Sequence, residues 1–264
     1  MAETGAQASR EGRSGVARRG SRRPAFYALT PGGWRDLVTI LHPPYTAWHM
    51  SYVALGAAAA PELRPVRLWA ALGAFFLAVG VAAHALDELH GHPLGTRLSD
   101  RTLAVLAGIA LAGAVGIGIA GLFVVSVTLL PFIVVGAFAV VAYNLELFGG
   151  RFHTDFWFAA AWGAFPALTG FWANALGIHS ADEAVAGVGV TAACFGLSVA
   201  QRRLSTPARE LRRRTVSVEG MQRLEDGTTR ELTAARLSAP LDGALKALSA
   251  AVVLLAVAAV AIRL

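Results

Sequence analysis

Seven stretches of this 264-residue chain, at 44–60, 68–86, 103–120, 122–143, 156–176, 184–200 and 245–262, are apolar and hold no Asp, Glu or Arg and a single lysine, Lys246. A helix needs ~20 mostly apolar residues to cross a bilayer. In lipid every backbone N–H and C=O must be paired internally, which a helix achieves within one segment. The chain is therefore expected to be all-α: a polytopic transmembrane helix bundle of about seven spans. Only 15% of its residues are charged and 55% are hydrophobic. A soluble domain carries about 25% charge.

Charge placement sets the expected orientation. Arg10, Arg13, Arg18, Arg19, Arg22, Arg23 and Arg35 precede the first span; Arg97 and Arg101 follow the second; Arg151 follows the fourth; Arg202, Arg203, Arg209, Arg212, Arg213 and Arg214 follow the sixth. All fall on one side of a seven-span chain, and the other side has Arg64, Arg67 and Arg263. Lys and Arg accumulate on cytoplasmic loops, so the N-terminus is expected in the cytoplasm, the C-terminus outside, and the chain in the cell membrane. The net charge of +6 is thereby assigned to membrane orientation and anionic lipids rather than to nucleic acid. Residues 1–35 lack the apolar core of a signal peptide and read as a disordered basic cytoplasmic tail. Residues 36–201 form the expected six-helix membrane bundle. Residues 202–240 form a cytoplasmic loop, with a basic helical extension and a small β-hairpin turning at Asp226 and Gly227. Residues 241–264 form the last span. An Asp-Gly pair suits a hairpin turn that needs positive φ.

In the third span Ala112, Gly116 and Ala120 recur every four positions, a stripe that permits close helix approach. The turn between the third and fourth spans is expected near Gly118 and Gly121. Cys194, the only cysteine, lies inside an apolar run and is expected to pack there.

Ionisable side chains within a membrane domain are costly and point to function. Five of the seven histidines lie in or beside the first two spans. His42, Tyr45, His49 and Tyr52 share one helix face and are candidate walls of a substrate cavity, or interfacial aromatics with a hydrogen-bonded histidine. His84, Asp87, Glu88, His90 and His92 crowd the end of the second span. Asp87 and Glu88 are candidate Mg²⁺ ligands, since a hard cation takes oxygen donors; with the histidines they are alternatively a transition-metal set. Tyr143, Asn144, Glu146, Arg151, His153 and Asp155 form a third polar group at the end of the fourth span, facing the same compartment. Two polar rims at one end of a bundle suit the mouth of an active site, although each also reads as an ordinary solvated helix end.

The order of these features resembles the UbiA-type intramembrane prenyltransferases across roughly residues 36–200. His42-Pro43-Pro44-Tyr45-Thr46 resembles the Arg-Pro-Phe-Thr-like entry to their first span. An acidic run ends the second span, as theirs does. His92-Pro93-Leu94-Gly95-Thr96-Arg97-Leu98-Ser99-Asp100-Arg101 is similar to the stretch leading into their third span. Tyr143 and the Gly163, Pro166, Gly170 pattern also look familiar. The resemblance implies Mg²⁺ as cofactor, a prenyl diphosphate as substrate and an acceptor that the sequence does not identify. It gives Asp87, Glu88, His84 and Tyr143 catalytic roles, with Asp87 and Glu88 on the metal. Arg97, Arg202 and Arg203 would meet the diphosphate, and Tyr45, His49, Tyr52, Asn144 and Glu146 would contact substrate. The sequence departs from the family in two respects. The first Asp-rich motif is thinned to Asp87 and Glu88, and the second is replaced by the basic run from Gln201 to Arg209. The family's usual span count is about nine. Prenyl transfer or terpene cyclisation is the leading expectation. A non-catalytic lipid-binding or assembly protein on the same scaffold, and a His/carboxylate metal oxidoreductase, are the alternatives. Against the last, the repeated His boxes of membrane desaturases are missing.

Overall fold

The computed structural model describes residues 23–264; the expectation for residues 1–22 lies outside them. A short helix, α1 (Trp34–Ile40), leads into α2 (Pro43–Ala59). Five longer or similar rods follow: α3 (Pro65–Leu89), α4 (Asp100–Val124), α5 (Val127–Asn144, opening with one 3-10 turn), α6 (155–175) and α7 (Ala181–Arg214). A two-stranded antiparallel ribbon, β1 (Met221–Arg223) and β2 (Thr229–Glu231), precedes α8 (Ala234–Arg263). Five rods are long and apolar enough to cross a membrane: α3, α4, α5, α7 and α8. The 17-residue α2 and the π-interrupted α6 are not among them. The expectation of about seven spans thus reduces to five such helices around two others.

Those two lie at the centre, where protein replaces lipid as the solvent. α2 packs against α3, α6, α7 and α8, so it can carry His49, Thr46 and Ser51, all buried, at no cost in lipid exposure. α2 and α6 meet backbone to backbone. A Cβ placed on Gly56 would lie 1.9 Å from the Ala167 carbonyl oxygen, and one on Gly170 would lie 2.1 Å from that of Val53. Small residues allow such approach in membrane bundles. Trp48, Tyr52, Ala167, Cys194 and Val252 pack around this contact. Val105, Ile109, Phe123, Val134, Phe138, Val188, Leu254 and Leu255 point outward, as a lipid-facing surface requires.

Several expected details change. The α4–α5 turn falls at Val125 and Ser126, with the Ser126 hydroxyl accepting from the Thr128 N–H. Gly118 and Gly121 sit inside α4 against the side chains of Ile133 and Leu129. Ala112, Gly116 and Ala120 face outward, and α4 packs instead through Leu103, Ala107, Ala110 and Ala114. The expected hairpin is present with shorter strands. Gly227 takes φ 82°, and the Asp226 carboxylate accepts from the Thr228 N–H and hydroxyl. Part of the expected N-terminal tail is packed: Arg213 Nε donates to the Pro24 carbonyl, and the Tyr27 ring lies 5.1 Å from His42 and 5.4 Å from Tyr45.

Candidate functional site

The rods run back and forth between two ends. At one end Arg64 N–H donates to Asn174 Oδ1, and Arg263 donates to the carbonyls of Ala60 and Pro61. The other end, which holds the start of α2 and the close of α3, α5 and α7, collects the ionisable groups.

A loop clamp comes first. Glu88 is fully buried, and its carboxylate accepts from Leu94 N–H (2.8 Å), Thr96 N–H (2.9 Å) and Thr96 hydroxyl (2.8 Å). Asp36 on α1 is buried as well and accepts from the N–H groups of Gly32 and Arg97. These two carboxylates hold the α3–α4 connection against the bundle. Such charge-assisted bonds are the strong ones. Glu88 therefore has no free oxygen turned toward Asp87's surroundings, and the Arg97 side chain is exposed.

Inside this clamp lies a polar cluster. His42 and His84 stack with centroids 4.0 Å apart. Tyr143 stacks on His153 at 4.4 Å and meets the edge of Trp162 at 5.5 Å. The end of α3 that carries Asp87 packs against α5, which ends beside Tyr143, and the Arg202 guanidinium lies 5.2 Å from the Phe158 ring, itself 6.3 Å from that of Tyr143. The two polar rims at α3 and α5 thus meet. Tyr27, His84 and Asp87 are surrounded by protein yet retain accessible surface, as groups facing an internal space do. Burial and then the neighbouring His84 hold the His42 imidazole well below its ordinary pKa, so this ring is neutral at neutral pH. Burial, with Tyr45 beside it, raises that of Tyr27.

Three histidines share one tautomer. His49 Nδ1 lies 2.8 Å from the Trp162 carbonyl oxygen, His84 Nδ1 3.2 Å from that of Gly80, and His153 Nδ1 3.0 Å from that of Tyr143. A carbonyl only accepts, so each Nδ1 carries a proton, and the neutral ring leaves Nε2 as the basic atom. Two of the carbonyls, Gly80 and Trp162, belong to π-helical segments, Phe76–Ala83 in α3 and Ala160–Ala164 in α6. Wide π turns recur at functional sites. The hydroxyl of Tyr143 and the Nε2 of His42 are buried without a hydrogen-bond partner.

Beyond Trp162 the surroundings become apolar. A cavity of about 150 Å³ between α3, α4, α5 and α6 is lined by Phe75, Val79, Leu111, Val140, Trp162 and Phe165 among others. Polar cluster and apolar cavity share Trp162, whose carbonyl faces His49 and whose ring faces Tyr143.

Other expected site residues lie elsewhere. Tyr52 is a core residue whose hydroxyl accepts from Trp48 Nε1 and Ser198. Asn144 is buried and donates to the Val140 carbonyl of its own helix. Arg203 and Glu146 are exposed. Tyr45 stands at the mouth with Phe26 and Tyr27. Arg202 pairs with Asp155 at 2.7 Å and lies over the Phe158 ring. Arg209 and Arg213 carried a readable signal: positions 202, 209 and 213 are seven and four apart, one face of a helix, whereas Arg203 is off that face. Tyr27 carried none, lying in a short apolar run, Pro24 to Leu29, too brief to show a period.

The two-carboxylate Mg²⁺ site implied by the resemblance does not fit. Glu88 is committed to the loop, and among the described residues no three His, Cys, Asp or Glu side chains converge as a ligand set. No family model, curated protein or solved structure matches this chain.

Proposed function

We propose that this chain is an intramembrane enzyme that transfers the prenyl group of an isoprenoid diphosphate, with its arginine-rich end in the cytoplasm and α2 and α6 completing seven crossings. One observation carries the reading: a polar cluster of imidazoles, with Arg202 over the neighbouring Phe158 ring, adjoins an apolar cavity across Trp162. That arrangement suits an amphiphile with an anionic head and a hydrocarbon tail.

The step it supports is a substitution. The allylic C–O bond breaks, and its electron pair leaves with the diphosphate, whose charge the arginines stabilise. The nucleophilic atom of the acceptor bonds to the freed carbon, and its proton passes to an imidazole Nε2. His84 and His49 are the candidates, because their Nδ1–H groups are anchored to carbonyls and both rings are fixed in place. Tyr143 and Asp87 flank the head group. His42, stacked on His84, completes the wall.

The test needs no knowledge of the acceptor. Membranes holding the chain are incubated with tritiated farnesyl and geranylgeranyl diphosphates, and release of inorganic diphosphate is followed with new hydrophobic product. Release that falls about 100-fold or more in His84→Ala supports the reading. Tight binding of both compounds without release in any membrane extract refutes transfer and leaves a lipid-binding protein.

A further inference from the structure

Resting on that reading, we infer that the diphosphate is held by Arg202, Arg209 and Arg213 with the Tyr143 hydroxyl, and that this binding needs no metal ion. The three arginines occupy one face of α7, at the basic end of the bundle. Arg209 is half-buried, and among the described residues its one side-chain hydrogen bond is to the Thr206 hydroxyl at 3.4 Å. Arg202 and Arg213 lie seven and four positions from Arg209 along the helix. Arg213 uses Nε on the Pro24 carbonyl, which leaves its terminal N–H groups unassigned. Arg212, by contrast, is neutralised by contact with Asp242. Arg202 is paired with Asp155 at the rim. Among the described residues Asp155 is the one carboxylate that an ion pair ties to these three guanidinium groups, and Asp87 stands at the same end of the bundle.

Arg202 and Arg209 are half-buried and Arg213 is exposed at the rim; like charges gathered on one partly covered face are unfavourable unless an anion joins them. The guanidinium fork matches phosphate oxygens in pairs. A second, independent sign of a missing ligand is Tyr143. The residue is 5% exposed, and among the described residues its hydroxyl has no hydrogen-bond partner; its ring lies 6.3 Å from that of Phe158, over which Arg202 stands at 5.2 Å. A phosphate oxygen at that point would accept the hydroxyl proton and the arginine N–H groups together. In metal-dependent binding Asp87 is an attractive ligand; in arginine-only binding the same carboxylate opposes the diphosphate. The two modes therefore predict opposite signs for Asp87→Asn.

The experiment is equilibrium binding of farnesyl S-thiolodiphosphate, which resists ionisation, to the full chain in phosphatidylcholine nanodiscs, in EDTA and in Mg²⁺. Affinity in EDTA should stay within about threefold of that in Mg²⁺. Arg209→Gln should weaken it about ten- to hundredfold, the scale of lost charged hydrogen bonds, and Arg209→Lys should restore part of it. Asp87→Asn should leave binding unchanged or tighten it. Binding lost in EDTA and weakened by Asp87→Asn overturns the inference while the prenyl-diphosphate reading stands. Equal binding of farnesol also overturns it, because the anion then contributes nothing. No binding under either condition removes the reading itself. The unfolding temperature of each variant separates lost binding from lost fold.

Discussion

Glu88→Gln separates a structural carboxylate from a metal-binding one. In the native protein one oxygen accepts from both Thr96 groups and the other accepts from Leu94 N–H. Glutamine retains one acceptor oxygen. If that oxygen serves Thr96, the new NH₂ faces the Leu94 N–H, and a buried donor is left without a partner. That costs about 1–3 kcal/mol. The remaining bonds also lose their charge assistance, worth about 1 kcal/mol more. Together the loop spanning residues 90–98 should lose about 2–4 kcal/mol of local stability. Hydrogen exchange by mass spectrometry reads this directly. Peptides covering Leu94 and Thr96 should exchange about 30- to 1,000-fold faster, while peptides from α2 and α6 stay near their native rates. Unchanged exchange across the loop would refute the argument that Glu88 is a clamp, and would return its carboxylate to the candidates for metal binding.

Two further predictions concern packing and pH. Gly170→Ala puts a methyl group 2.1 Å from the Val53 carbonyl oxygen. Backbone on both sides must part by roughly 1 Å, so the cost should reach or exceed the upper end of the usual ~1–3 kcal/mol for overpacking, read as a fall of about 5–10 °C in unfolding temperature. Gly116→Ala, with nothing within 4 Å, serves as the control and should show no fall. His92 bonds to Asp100 at 2.9 Å, and that bond, assisted by Glu88, raises the imidazole above its ordinary value of 6.5. A raised folded value means that the contribution to stability is full below about pH 6.5 and fades as pH rises through the higher folded value. Proteolysis of the 90–98 loop should therefore quicken from pH 6 to pH 8.5, and Asp100→Asn should flatten that dependence.

The membrane character was legible because apolar length alone excludes other solutions for α3, α4, α5, α7 and α8. The same criterion leaves out α2 and α6, whose packing against neighbouring helices lets polar residues in. The meeting of Asp87 with Tyr143 was suggested by their shared end of the bundle. The division of labour between Asp87 and Glu88 was not, because adjacent helical positions point about 100° apart, and only the path of the 90–96 loop decides which carboxylate is consumed. Tyr27 and the Pro24 carbonyl reach the mouth through tertiary packing, and their local sequence gives no periodicity to read.

The π segments of α3 and α6, two of the three among the described residues, have a consequence for how this chain tolerates change in length. A π turn holds about one residue more than the α turn it replaces. Losing one residue between 76 and 83, or between 160 and 164, would tighten the segment into regular helix and leave the flanking ends in place. These stretches are therefore joints at which a membrane rod accepts a deletion without turning its neighbours. The loss would be chemical and not architectural. In α6, the regular helix would take the Trp162 carbonyl back into its own ladder, and His49 would lose the acceptor that fixes its ring.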